Sequence, residues 1–228
     1  MARAPISSAV PKQHRSRVTR ERLLRAAVEC LAELGWARTT MGVIADRAGV
    51  SRGASQHHFH TRDELVTAAI EYGARARLEE IRREASITAI PRRSRSEAVL
   101  DLLVRSSGNT LFMAALQLWV AGASDERLRE QLIPLEARVG REVHRVTAEL
   151  LGVDDRQPGV YESIEATLDL VRGLMLANLL RAHPERSEKV LHQYARMLDA
   201  AVPSVSSLSS LSSTASKRSS KKAKPQGK

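Results

Sequence analysis

Residues 39–59, TTMGVIADRAGVSRGASQHHF, carry the pattern that decides the fold: two short helices with a tight turn between them. Thr39 and Thr40 are good N-caps, because a hydroxyl accepts the free backbone N–H groups of a first helical turn. Val43, Ile44 and Ala48 recur at helical spacing and give the first helix an apolar underside. Gly49 stands where a helix ends in a left-handed residue, a conformation that glycine adopts without steric cost. Val50 can plug the angle between the helices, and Ser51 can cap the next one. A short helix, a glycine-bearing turn and a second helix with exposed polar side chains make a helix-turn-helix.

The second helix spans about 52–58. Gly53 and Ala54 are small enough for a close approach to DNA, while Arg52, Ser55, Gln56, His57 and His58 can reach base edges or phosphates. From about Thr19 to Leu65 the chain resembles the tetracycline-repressor (TetR) family of bacterial regulators. The resemblance rests on the Thr39-Thr40 pair, AGVSRG at 48–53, HHF at 57–59 and HTRDEL at 60–65, in that fixed order. At Gln56 the chain departs from the family, which commonly has an aromatic residue late in this helix. By residue chemistry Thr40, Arg52, His58 and Arg62 are expected to hold phosphates, with Gly53 allowing the close approach. Ser55, Gln56 and His57 are expected to read bases. Gln56 is the strongest base reader, since its amide can pair bidentately with adenine.

Charge supports a DNA-facing head. The net charge is +10, and residues 1–62 hold eleven Lys and Arg against four Asp and Glu, while 203–228 hold six against none. The middle of the chain is mildly acidic, and this division is what a phosphate-binding head on a solvated body would show. Aromatic residues make up 3% of the chain while Leu, Ala, Arg and Glu abound, which favours an all-α fold. No apolar run reaches a membrane span and no apolar leader opens the chain, so neither membrane insertion nor export is expected. The single cysteine, Cys30, excludes an internal disulfide framework and fits a cytoplasmic protein.

Outward from the motif, the pattern divides the chain. Residues 1–17 read as a flexible basic arm, 18–63 as a three-helix DNA-binding head, 64–202 as a helical ligand-binding and dimerisation body, and 203–228 as a disordered Ser/Lys-rich tail. Thr19 is expected to cap a first helix with Leu24, Ala27, Val28 and Leu31 inward, and Gly35 to end it. Thr61 and Glu64 form a capping-box pair opening a helix from about 62 to 84; Ser94 and Glu97 form a second at the helix from about 95 to 106. Residues 110–121, TLFMAALQLWVA, are apolar nearly all round and read as a helix buried on most sides. A helix from about 124 to 150 is expected to break or kink near Pro134.

A small-molecule pocket, largely apolar, is expected among Tyr72, Phe112, Met113, Leu116 and Trp119, with Gln117 as a polar anchor. A helix at about 161–182 carries two apolar sides, one for the core and one for a second subunit, and a last amphipathic helix at about 185–201 follows on the stripe Val190, Leu191, Tyr194 and Leu198. Leu168, Gly173, Leu174, Ala177, Leu191 and Tyr194 are the expected dimer face. The resemblance implies dimerisation through these last two helices and a homodimer on a palindromic operator, released by an effector. A ligand-independent architectural DNA-binding protein and an activator of the same fold are the alternatives. Three histidines, His57, His58 and His60, lie close together, but no cysteine or carboxylate nearby in sequence completes a four-ligand set. No metal or other cofactor is expected. Without a nucleophile–base set or a phosphate-cradling glycine loop, no catalysis is expected either.

Overall fold

A computed structural model describes residues 12–87, 94–107, 110–180 and 183–202. Among the described residues the chain is all-α: α1 Lys12–Arg38, α2 Met41–Ala48, α3 Arg52–His58, α4 Arg62–Ile87, α5 Arg95–Ser107, α6 Thr110–Ser124, α7 Glu126–Leu151, α8 Val160–Asn178 and α9 Pro184–Ala201. None of these helices is long and apolar enough to cross a membrane. The arm read at 1–17 lies outside the described residues up to 11, and the tail at 203–228 lies outside them altogether.

The described residues pack as two compact units, one drawn from 12–77 and 110–139, the other from 78–107 and 140–202; α4 and α7 contribute to both. In the first unit one core gathers Leu23, Leu24, Ala27, Cys30, Ile44, Ala48, Phe59, Leu65 and Ala69. The expected stripe of α1 supplies this core and, through Leu31, a second one with Val66, Ala114, Leu118 and Leu135. Cys30 is fully buried, as a small apolar residue would be.

Several boundaries differ from the sequence pattern for local reasons. α1 begins at Lys12, so Thr19 is an interior residue; its hydroxyl donates back to the Arg15 carbonyl (3.0 Å) and caps nothing. Gly35 interrupts α1 with φ 72°, ψ 175°, after which one short turn runs to Arg38. Helix α7 runs unbroken through Pro134, which lies on its exposed side, where water can satisfy the carbonyl freed one turn earlier. Helix α6 buries only one face in its own unit. Ala114, Leu118 and Gly122 are buried at four-residue spacing, whereas Val120 is 64% exposed.

In the second unit Val99, Leu100, Leu103, Ile164, Val171, Ala195 and Leu198 form the core, and Leu78, Ile81, Leu102 and Val146 a smaller cluster. His144 of α7 is buried with its ring stacked on Tyr161 of α8 (4.4 Å). Its Nδ1 lies 2.7 Å from Glu165 and its Nε2 3.6 Å from Asp155. Of the second capping pair the hydroxyl half forms, with the Glu97 N–H donating to Ser94 Oγ (3.2 Å), while the Glu97 carboxylate meets His192 Nδ1.

Candidate nucleic-acid interface

Helices α2 and α3 are built almost entirely by local hydrogen bonds. Thr40 Oγ1 accepts the Val43 N–H (3.3 Å) and starts α2. Thr39 is buried instead: its hydroxyl donates to the Gly35 carbonyl (2.8 Å), tying the end of α1 to the start of α2. Gly49 closes α2 in the left-handed region, φ 61°, ψ 42°, with the Val50 N–H bonded to the Ala45 carbonyl (2.9 Å). Ser51 Oγ accepts the Ala54 N–H (3.2 Å) and starts α3. Phe59, 2% exposed, then ends α3 against the α1 core. Arg47 of α2 reaches Glu33 of α1 at 2.6 Å, and that hydrogen bond holds the Glu33 carboxyl below its usual range.

This framework sorts the expected DNA contacts. Thr40, Arg52, Gly53, Gln56 and His57 are exposed, on or just before the reading helices. His58 is half-buried and edge-on to His57 (ring centroids 5.6 Å apart); burial, then His57 and Arg20, hold its imidazole below the ordinary histidine value. Ser55 faces the other way. It is 2% exposed and its hydroxyl donates to the Arg52 carbonyl (2.9 Å), so it supports α3 from within. Its place four residues before Phe59, on the same helical face, is the signal that marks it as inward.

Arg62 is also engaged elsewhere. Its guanidinium lies 3.6 Å over the Trp36 ring, donates through Nη1 to the Trp36 carbonyl (3.3 Å) and meets Asp63 Oδ1 at 3.4 Å. The α4 cap forms around it: the Glu64 N–H donates to Thr61 Oγ1 (3.1 Å), and Glu64 Oε2 accepts the His60 N–H (2.8 Å), one residue further back than in a strict capping box. Arg22, unremarked in the sequence pattern, brings its Nη2 to 3.4 Å from the Gly49 carbonyl and so steadies the turn. No cluster of three or more metal-ligating side chains occurs among the described residues.

The residues nominated for an effector are half-buried and belong to the first unit. Phe112 and Trp119 meet edge to face (6.2 Å), and the Trp119 indole N–H donates to Glu136 (2.7 Å). Tyr72 packs on the core that Ile44, Ala48 and Phe59 share, and Gln117 lies against Gly35. In the second unit an open cleft of about 960 Å³ is lined by Glu97, Asp101, Val104, Asn178, Leu191 and His192 among others, and by none of the nominated effector residues.

Of the nominated dimer face, Leu174 is buried and Leu168, Leu191 and Tyr194 pack against the core of their own unit, with the Tyr194 hydroxyl 3.2 Å from Thr167 Oγ1. Only Gly173 and Ala177 are open. The exposed apolar side of α8 and the residues just after it is therefore Gly173, Leu176, Ala177 and Leu180, rotated from the expected stripe; Met197 is exposed on α9.

Comparison with known proteins fits this architecture. Residues 23–69 match the family profile of bacterial regulatory proteins, tetR family. The chain is 32% identical to the HTH-type transcriptional regulator CymR of Pseudomonas putida, over 77% of this chain and 87% of that protein. It is 27% identical to an uncharacterised HTH-type transcriptional regulator of Mycobacterium tuberculosis, over 84% of this chain and 98% of that one. A transcriptional regulator from Saccharomonospora viridis, solved in complex with choline, shares the fold with a TM-score of 0.54 at 18% identity, over 79% of this chain and 95% of its own.

Proposed function

The chain belongs to the tetR family of bacterial transcriptional regulators and carries its helix-turn-helix DNA-binding domain; from that premise we propose that it is a homodimeric repressor of a palindromic operator, released by a small molecule. The observation that carries this reading is α3: a capped helix whose inner side is closed by Ser55 and Phe59 and whose outer side presents Arg52, Gly53, Gln56 and His57. Residues 18–63 act as the head and 64–202 as the body. Gln56 and His57 read bases; Thr40, Arg52 and His58 hold phosphates and set register.

The exposed side formed by Gly173, Leu176, Ala177 and Leu180 supports a dimer, because it is apolar and its small residues let two helices approach closely. Two reading helices would then enter successive major grooves about 34 Å apart. The effector is bound by Phe112, Met113, Leu116 and Trp119 of α6 together with Tyr72 of α4. A regulator of the same fold bound to choline supports a small-molecule effector. The cleft at Glu97 and Asp101 supports a second location for such a molecule, since its volume suits one. The protein works in the cytoplasm, where the operator is.

Selection of bound duplexes from a random pool at near-physiological salt tests the reading. The expected product is a palindrome with half-sites about one helical turn apart. Binding to all sequences alike, with a steep salt dependence, would instead support the architectural alternative.

A further inference from the structure

We propose that Arg62 and Gln117 are positioning residues that hold the Gly35–Trp36 joint, through which α6 sets the presentation of the reading helices. The inference rests on the DNA-reading assignment above and gives Arg62 and Gln117 roles other than phosphate and effector contact.

The joint is the single non-helical point inside α1. Gly35 takes φ 72°, ψ 175°, a region that favours glycine, and only a short turn separates it from α2. Two hydrogen bonds pass the geometry of the joint forward. The Gly35 carbonyl accepts from Thr39 Oγ1 (2.8 Å), and the Trp36 carbonyl accepts from the Thr39 N–H (3.3 Å). Thr40, the next residue, caps α2. A shift at Gly35 or Trp36 therefore moves the first turn of α2 directly.

The joint is met by residues of two other helices. From α4, Arg62 lays its guanidinium 3.6 Å over the Trp36 ring and adds a second hydrogen bond to the Trp36 carbonyl (3.3 Å). A planar cation stacked on an indole and donating to a carbonyl is committed; it would have to leave the ring to reach a phosphate. From α6, Gln117 lies against Gly35: a Cβ built there would stand 3.0 Å from Gln117 Oε1. The Trp36 side chain packs on the cluster that includes Ala114 and Leu118 of α6. Helix α6 thus meets the joint through its amide and through its buried face, and it also carries Phe112, Met113, Leu116 and Trp119.

The test is binding of the full chain to its selected duplex across a salt series, for wild type, Arg62→Gln, Arg62→Lys, Trp36→Leu, Gln117→Ala and the double variants with Arg62→Gln. Arg62→Gln, Trp36→Leu and Gln117→Ala should each weaken binding by about tenfold, and each double variant should be little worse than its weaker parent, because contacting residues are not additive. The salt slope should stay at the wild-type value. Arg62→Lys should fall with Arg62→Gln, since lysine keeps the charge and loses the planar stack. A salt slope shallower by about 0.9, the mark of one phosphate no longer neutralised, would overturn the proposal. Full rescue by lysine, or additive effects in the double variants, would overturn it too. Tryptophan emission of Arg62→Gln in a Trp119→Phe background gives a readout independent of DNA: Trp36 emission should change, and unchanged emission would overturn the stack. If wild type binds no preferred sequence, the DNA-reading assignment fails, and the fluorescence together with the Arg62–Trp36 coupling in thermal unfolding still judges the joint.

Discussion

Replacing Gly49 by alanine should loosen the turn between the reading helices by about 1–2 kcal/mol. Gly49 sits at φ 61°, ψ 42°, and its N–H closes α2 on the Ala45 and Asp46 carbonyls. For a residue with a Cβ the left-handed conformation costs roughly 1–2 kcal/mol. Alanine recovers roughly 0.4–1 kcal/mol of this by restricting the unfolded chain. The remainder comes from Arg22, whose Nη2 would stand 2.7 Å from the new Cβ and must swing away from the Gly49 carbonyl. At about 2–4 °C per kcal/mol for a chain of this size, the melting temperature should fall by about 2–8 °C. Asparagine, which tolerates this conformation better, should cost about half as much. Calorimetry gives the stability, and hydrogen exchange of the Val50 amide, bonded to the Ala45 carbonyl, reports the turn itself. An alanine variant as stable as wild type, or an asparagine variant worse than the alanine one, would refute the left-handed cap as the reason for glycine here.

Three further outcomes follow from the interface. Gln56→Ala should relax specificity at one base pair per half-site by about 1–3 kcal/mol, measured by competition among operator variants; an equal loss on every sequence would take base reading away from Gln56. The His58 imidazole is held below its ordinary value by burial, then by His57 and Arg20. The unfolded chain therefore takes up this proton first on acidification, so the stability due to neutral His58 is complete above about pH 6.5 and is lost as pH falls toward the folded-state value. Thermal unfolding of His58→Gln should show a shallower acid limb, and a limb identical to wild type would contradict the burial argument. Leu176→Glu with Leu180→Glu should convert a dimer to monomer in sedimentation while leaving the melting of each unit nearly unchanged, as both side chains are exposed in the single chain. An unchanged mass would move the dimer contact elsewhere.

What could be read from the sequence was what local spacing encodes. The start of α2 at Thr40, the left-handed Gly49, the Ser51 cap and the Thr61–Glu64 pair each depend on residues within about four positions, and each forms. Helical phase was harder. Polarity alone marks Ser55 as a base reader, yet its position relative to Phe59 places it on the buried side. In α8 the two apolar sides were visible, but tertiary packing decides which faces inward, and it took Leu174 and Leu168 into the core. The Arg62–Trp36 stack joins residues 26 apart, and Gln117 meets Gly35 across an even longer separation; no local spacing announces either. Thr39 and Thr40 are neighbours of one type with opposite fates, because the first closes the Gly35 joint and the second faces solvent as the cap.

The central claim is that two identical reading helices bind DNA at once, and the spacing dependence of binding on the selected operator tests it most directly. Inserting about five base pairs between the half-sites turns one of them to the opposite face of the duplex, about half of the 10–10.5 base-pair repeat. The account predicts that affinity then falls to that of a single half-site and returns in part when about ten base pairs are inserted. Affinity that does not change with spacing would mean that each head binds alone, and would contradict it.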